Sequence, residues 1–415
     1  MKIKLGFILL ALFAGFGLEG CREKTPTATS SSETKEGVTA SDKTMVFEKA
    51  FYTRTNSVFT ERYAFFRVSE QGKVSLHVYN VASKTSNIYC FDPGCEHIPP
   101  QYDLVTGELL SPPCMAYTLG ATTFSLRNDC SYYFLYPNLF RADIEGKNRQ
   151  IVANLNLPFY FPTEELYTED YYFLRYDIYN GMIEQEDKNG DSYWVSGDAL
   201  DKRKVGIIRV ALSDGKIEEV FSADDLYDLY ISPMVEYNGH LHFLCSGLDV
   251  PFDTLPNGFE DWDAYNEAAT KHSRTRVYDY NIASGELSLI ISEDHNDAYD
   301  FAQDYIVKSS KLNGELYDAS GNFIRKLPFS VGRVIQSDEY IIVQESMDVN
   351  DTKRRFHMYD ADEDKIVRSV EIENLTLQYA IGDSYYGIID GKTFYISAAD
   401  FWAGNTDRYV ILEDS

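Results

Sequence analysis

Apolar and polar positions alternate with a period of two in short runs, and the runs come in pairs joined by tight polar turns. The pairs are "LHVYNVASKTSNIYC" (76–90), "LFRADIEGKNRQIV" (139–152), "IIRVALSDGKIEEVF" (207–221) and "RVYDYNIASGELSLII" (276–291). They continue as "ELYDASGNFIRKL" (315–327), "FHMYDADEDKIVRSVEI" (356–372) and a looser copy, "TFYISAADFWAGNTDRYVIL" (393–412). Turns such as "EGK", "SDGK" and "ASGN" supply the glycine that hairpin geometry demands. Continuous apolar runs precede the hairpins: "SYYFLYP" (131–137), "DYYFLRY" (170–176), "HLHFLCS" (240–246), "DEYIIVQ" (338–344) and "SYYGII" (384–389). A strand that is apolar on both faces is covered on both faces. A repeat of four antiparallel strands per unit predicts an all-β fold, a single β-propeller of seven blades, with six or eight as the neighbouring counts. The first unit is expected to begin near Phe47 and the last to end by Leu412.

Spacing between hairpins locates what is added to the scaffold. Ile282, Ala319, Ala361 and Ala398 follow one another at about the usual blade length of 40 residues. The earlier intervals, from Val81 to Ile144, Leu212 and Ile282, are much longer. The excess falls at residues 91–116, between blades one and two, and at 177–204 and 247–274, between the second and third strands of blades three and four. Strands alternate in direction within a blade, so all three insertions emerge on one face. Loops that a rigid scaffold gathers are where binding residues concentrate. The second insertion carries Tyr193 and Trp194 beside Asp187, Asp191 and Asp198; the third carries Phe259, Trp262 and Tyr265 among acids. Aromatic rings among carboxylates suit sugar rings or a basic peptide, or they fasten the insertions to the ring.

The N-terminus changes the setting. Lys2 and Lys4 precede the uncharged apolar run Leu5–Leu18, too short for a spanning helix and right for an export signal. The run ends at "LEGC", which resembles the lipobox of bacterial lipoproteins, with Cys21 as the thiol that receives lipid. Residues 22–43 hold almost nothing to bury and are expected to form a disordered tether. The expected organisation is a signal peptide over 1–20, a lipidated (palmitate-type) cysteine and tether over 21–43, and a propeller over 44–415. This places the protein on the extracytoplasmic face of the cell membrane.

Composition narrows the partners. The formal charge is −27, which disfavours nucleic acid and anionic headgroups as partners. The 32 tyrosines and 25 phenylalanines favour strands.

The stretch "YCFDPGCEHIPPQYDLVTGELLSPPCMAY" (89–117) gathers Cys90, Cys95, His97 and Cys114, with Cys130 shortly beyond. Outside the cytoplasm thiols oxidise, and an insertion with little core benefits from a staple, so a disulfide is favoured over zinc. Cys245, inside an apolar strand, is expected to be a buried free thiol. "DKNGD" (187–191) starts like a calcium loop but lacks glycine at the sixth position, so a solvated turn is expected. No cofactor is expected, with zinc or calcium as the alternatives. No nucleophile elbow, P-loop or zinc-protease motif occurs. His240 and His242 share a strand face and are expected to be packing residues.

With the hairpins, lipobox and cysteine segment in view, the chain resembles TolB-like propeller lipoproteins of Gram-positive gut bacteria, largely of unassigned function. The residues carrying the resemblance are Cys90, Cys95, His97, Cys114, Ala116 and Tyr117. The expected function is membrane-anchored binding of an extracellular glycan, peptide or envelope protein. The alternatives are a carbohydrate-active enzyme using carboxylates on the same face, or a scaffold of an envelope complex.

Overall fold

The computed structural model describes residues 51–412 apart from short internal segments, the longest being 156–164. Cys21, the tether and Phe47 therefore lie outside the described residues. Within them, twenty-eight strands form seven blades of four, each blade taken in order from one stretch of the chain, with the extra hairpin Met182–Glu186/Ser192–Ser196 interposed in blade 3. Blade 1 comprises Val58–Phe59, Tyr63–Glu70, Lys73–Asn80 and Thr85–Ile88, with Phe51–Tyr52 paired along its first strand. Blade 2 comprises Phe124–Arg127, Cys130–Leu135, Asn138–Asp143 and Gln150–Asn154. Blade 3 comprises Glu165–Tyr167, Tyr171–Asp177, Val205–Ala211 and Ile217–Ala223. Blade 4 comprises Tyr227–Tyr237, His240–Leu248, Ser273–Asn281 and Leu287–Glu293. Blade 5 comprises Tyr299–Ala302, Tyr305–Lys308, Glu315–Asp318 and Phe323–Lys326. Blade 6 comprises Arg333–Ser337, Ile341–Gln344, Lys353–Asp360 and Lys365–Glu373. Blade 7 comprises Thr376–Ile381, Ser384–Ile389, Lys392–Ser397 and Val410–Ile411. The expected count of seven holds, and the chain's last strand is blade 7's own fourth strand.

The second strands show why the blades stack. Tyr172 to Asp177 are buried without a break, as are Cys130 to Phe134, because each blade is covered by a neighbour on both sides. The apolar contacts form one cluster per seam. Phe65 and Leu76 meet Phe124 and Tyr133 between blades 1 and 2. Phe134 and Leu139 meet Tyr167 and Tyr172 at the next seam. Phe173 and Phe221 meet Leu229 and Phe243, and Leu244 and Val277 meet Phe301 and Ile306. Val307 and Leu316 meet Val343 and Tyr359, and Ile335 and Phe356 meet Leu377 and Phe394. The seventh cluster joins Ile381 and Tyr386 of blade 7 to Phe59, Ala64 and Phe66 of blade 1. That seam is sealed by the Tyr386 hydroxyl donating to the Thr60 carbonyl at 2.9 Å and Ser384 donating to the Glu61 carbonyl at 2.7 Å.

The hairpin repeat has a structural counterpart. A register shift breaks the pairing of strands three and four at Leu139/Phe140, Ile207/Ile208, Val277/Tyr278, Leu316/Tyr317 and Met358/Tyr359. One extra residue at the same place in blades 2 to 6 strengthens the local twist that lets the sheets fan around an axis. Two turn glycines do more than turn. Gly215 and Gly321 take φ of 74° and 80°, and a Cβ on them would stand 2.0 Å from the Val152 carbonyl oxygen and 2.4 Å from that of Ile290. These hairpin tips press into the outer strand of the preceding blade, where no side chain fits. Among the described residues no helix is long and apolar enough to cross a membrane.

Candidate functional site

All three insertions lie where the spacing put them. Residues 89–123 connect blade 1 to blade 2, 178–204 join strands two and three of blade 3, and 249–272 do the same in blade 4. With strands alternating, these connections share one face. The second insertion folds as a hairpin, Met182–Glu186 paired with Ser192–Ser196, followed by the short helix Gly197–Leu200. That helix lies against the first strand of blade 4 and the turn Phe252–Thr254 of the third insertion. The two insertions are thus in contact.

On the hairpin Trp194 sits opposite Glu184, and Met182 shares their side of the ribbon. Trp194 is 59% exposed and Met182 48%, while Val195, pointing the other way, is buried. Tyr193 sits opposite Gln185. Asp198, one of the acids that the sequence places beside Trp194, is fully buried, with its backbone N–H capped by the Ser196 hydroxyl at 3.3 Å. It belongs to the packing between insertions. Of "DKNGD", Gly190 is exposed with φ of 79°, and residues 187–189 and 191 lie outside the described residues.

The third insertion carries the helix Trp262–His272, whose N-cap Asp261 accepts from the Ala264 N–H at 2.9 Å. Trp262 stacks on Tyr265 with ring centres 5.4 Å apart, and Tyr265 meets Phe252 at 5.6 Å. The helix has no buried residue, and Trp262 is 54% exposed. Tyr265 packs the helix onto the turn, and Trp262 lies over Tyr265. Phe259 lies outside the described residues. The insertion's base is closed by a group not anticipated from sequence: the Asp249 carboxylate bonds His272 Nδ1 at 2.7 Å and pairs with Arg274. Asp249 and His272 stand 23 positions apart in the chain, which hides the pairing from any local pattern.

The cysteine segment converges. One ligand atom from each of Cys90, Cys95, His97 and Cys114 lies within 4.8 Å of all the others. Cys90 follows the last strand of blade 1, and Cys114 opens the helix Met115–Gly120, whose Met115 and Leu119 are sunk in the seam between blades 1 and 2. Cys95 and His97 come from the loop between them. The His97 backbone takes φ of 51°, uncommon for a residue with a Cβ, and its N–H donates to Cys95 Sγ at 3.4 Å. Cys114 Sγ stands 3.7 Å from His97 Nδ1. Burial pushes the Cys95 thiol up, and a hydrogen bond with Cys90 followed by burial pushes Cys114 up. Cys130 belongs to a different cluster, in the seam between blades 2 and 3. All five described cysteines are free thiols, Cys245 among them at 1% exposure. Four donors, one an imidazole that no disulfide would use, meet at one point, and Cys130 takes no part.

His240 and His242 both face Asp279, at 2.9 Å and 3.5 Å, and His242 also stacks on Phe301 at the seam between blades 4 and 5. Packing accounts for them. A cleft of about 280 Å³ also opens between blades 6 and 7, lined by Tyr340, Arg368, Asp383, Tyr385 and Trp402. It lies at the turns joining strands one to two and three to four, opposite the insertions. Its residues come from three turns far apart in sequence and gave no motif.

The fold defines the chain as a β-propeller protein. No family model matches it, and no curated protein matches it. Solved structures that it is similar to include the Porphyromonas gingivalis dipeptidyl peptidase 4, at 13% identity and a TM-score of 0.41. That match covers 83% of this chain and 48% of the peptidase, so the chain spans about half the length of that structure. An oligogalacturonate lyase from Vibrio parahaemolyticus matches at 10% identity and a TM-score of 0.41, covering 85% of each chain. An uncharacterised Listeria monocytogenes protein matches at 10% identity and 0.39, covering 66% of this chain and 79% of that one.

Proposed function

We propose that this is an exported, lipid-anchored propeller that binds an extracellular ligand, a glycan or a peptide, on its insertion face. The observation that carries the reading is the contact between two insertions from adjacent blades, each presenting a tryptophan more than half exposed. Large apolar rings held in water by a rigid scaffold cost solvation and ordering, and such surface commonly marks an interaction site. The carboxylates around them, Glu184 opposite Trp194 and Asp261 and Asp263 flanking Trp262, accept hydrogen bonds from sugar hydroxyls or pair with basic side chains. The lipid on Cys21 and the tether would hold this face outside the cytoplasm at a membrane that a chain of charge −27 would not approach unaided.

A glycan and peptide array probed with residues 44–415 identifies the ligand class. Trp194→Ala and Trp262→Ala should then weaken binding by about thirtyfold, or ~2 kcal/mol for a stacking anchor, with melting unchanged because both rings are exposed. Glu286→Ala, in a hairpin turn on the opposite face, should leave binding as it was. If both tryptophan variants bind as the parent does, the insertion face is not the site.

A further inference from the structure

We propose that Cys90, Cys95, His97 and Cys114 bind one Zn²⁺ in a closed tetrahedral site that fastens the first insertion to the ring. The inference stands apart from the ligand-binding reading and needs no ligand to be correct.

The donor set comes first. Three thiols and an imidazole form one of the common structural zinc sets, and soft sulfur ligands in a tetrahedron select zinc over the hard cations that carboxylates hold. Distances follow. With Zn–S of about 2.3 Å and Zn–N of about 2.0–2.1 Å, a regular tetrahedron separates two sulfurs by about 3.8 Å and sulfur from nitrogen by about 3.6 Å. The Cys114 Sγ to His97 Nδ1 separation is already 3.7 Å, and no pair exceeds 4.8 Å. Contraction of about 1 Å at most completes the shell. All four positions are then protein ligands, which leaves no open position for a substrate and makes the site structural rather than catalytic.

The scaffold divides the ligands into two kinds. Cys90 and Cys114 are held by the ring, with Cys90 beside the buried Ile88 and Ala116, and Cys114 at the head of a helix anchored in a seam. Cys95 and His97 ride on the segment 94–99, which holds no strand or helix, tied down by the Cys114 N–H donating to the Ile98 carbonyl at 3.2 Å. Backbone N–H groups already point at the sulfurs, from His97 to Cys95 and from Ala116 to Cys114, as they do where a thiolate is to be stabilised. The left-handed backbone of His97 aims Nδ1 inward. Binding releases the three thiol protons to solvent and puts one dication in their place, and the loop is closed in the same step.

The test uses the full chain, purified in detergent under reducing conditions. Metal analysis should find about one zinc per chain, removed by a strong chelator. Replacement by Co²⁺ should give the visible d–d bands of a tetrahedral site with thiolate-to-metal charge transfer. Cys95→Ser and His97→Ala should lower metal affinity by more than about 100-fold, beyond the usual loss for an outer-shell partner, and open residues 91–113 to protease. Cys130→Ser should change neither. If a variant fails to fold, the cobalt spectrum of the parent chain still decides. A reduced chain that takes up no metal would overturn the proposal, as would cobalt bands of octahedral form or metal binding indifferent to these substitutions. So would a non-reduced digest of the native protein showing two of these three cysteines cross-linked.

Discussion

Tyr386 is the side chain on which closure of the ring can be tested. It is fully buried at the seam of blades 7 and 1, stacks on Phe59 at 4.8 Å and donates across the seam to Thr60. The partners are 326 residues apart, and blades 7 and 1 are each built from one stretch of the chain, so at this seam side-chain contacts do the joining. Tyr386→Phe removes one buried hydrogen bond at a cost of about 1 kcal/mol. Tyr386→Ala also removes the ring and leaves a cavity, for about 3–5 kcal/mol. An unfolding entropy of about 2.1 cal/mol/K per residue over 51–412 gives about 0.76 kcal/mol/K. The expected falls in Tm are therefore about 1 °C for phenylalanine and about 4–6 °C for alanine, read by calorimetry. Tyr172→Ala, at the ordinary seam between blades 2 and 3, should cost about as much, because the residue is equally buried. If Tyr386→Ala melts with the parent while Tyr172→Ala does not, the seam adds nothing and the ring is held by its other six interfaces alone.

Two further outcomes follow from particular residues. Cys21→Ala should release the protein into the medium or leave an uncleaved precursor, and abolish labelling by a fatty-acid analogue; unchanged retention and labelling would remove the anchor from the proposal. Burial holds the His242 imidazole below its usual pKa of about 6.5, so below that pH the unfolded chain takes up a proton the folded chain resists, and stability falls on acidification. His242→Phe should therefore lose less stability than the parent between about pH 7.5 and about pH 5.5 in denaturant melts, and an equal loss would show that this histidine does not contribute.

The ring was legible because its code is repeated and local. A run such as "DYYFLRY" announces a strand covered on both sides, and a turn glycine such as Gly215 or Gly285 announces the hairpin after it. The insertions were legible by arithmetic alone, as excess length between hairpins. The cysteine cluster was only half legible. Its donors could be named, but the spacings follow no common zinc module, and convergence depends on the loop reversing at His97 and on a helix packed into a seam. Both are tertiary facts. Asp249, His272 and Arg274 escaped for the same reason, and nothing in so acidic a chain marks Asp198 as an acid that is buried.

In the outer strand of blade 6, Lys365–Glu373, all side chains but Val370 and Ile372 are exposed. Its place is set largely by backbone pairing with Lys353–Asp360 and by the turn before it, so its exposed side chains are less constrained than those of the inner strands. Multiplied around a ring whose inner requirement is merely an apolar run, a turn and a bulge, such freedom lets an architecture persist while its wording drifts. A chain of this kind shares its grammar with every propeller and its vocabulary with few. Individuality is left to the three insertions, and it is there, in fewer than a quarter of the residues, that a relative would have to be recognised.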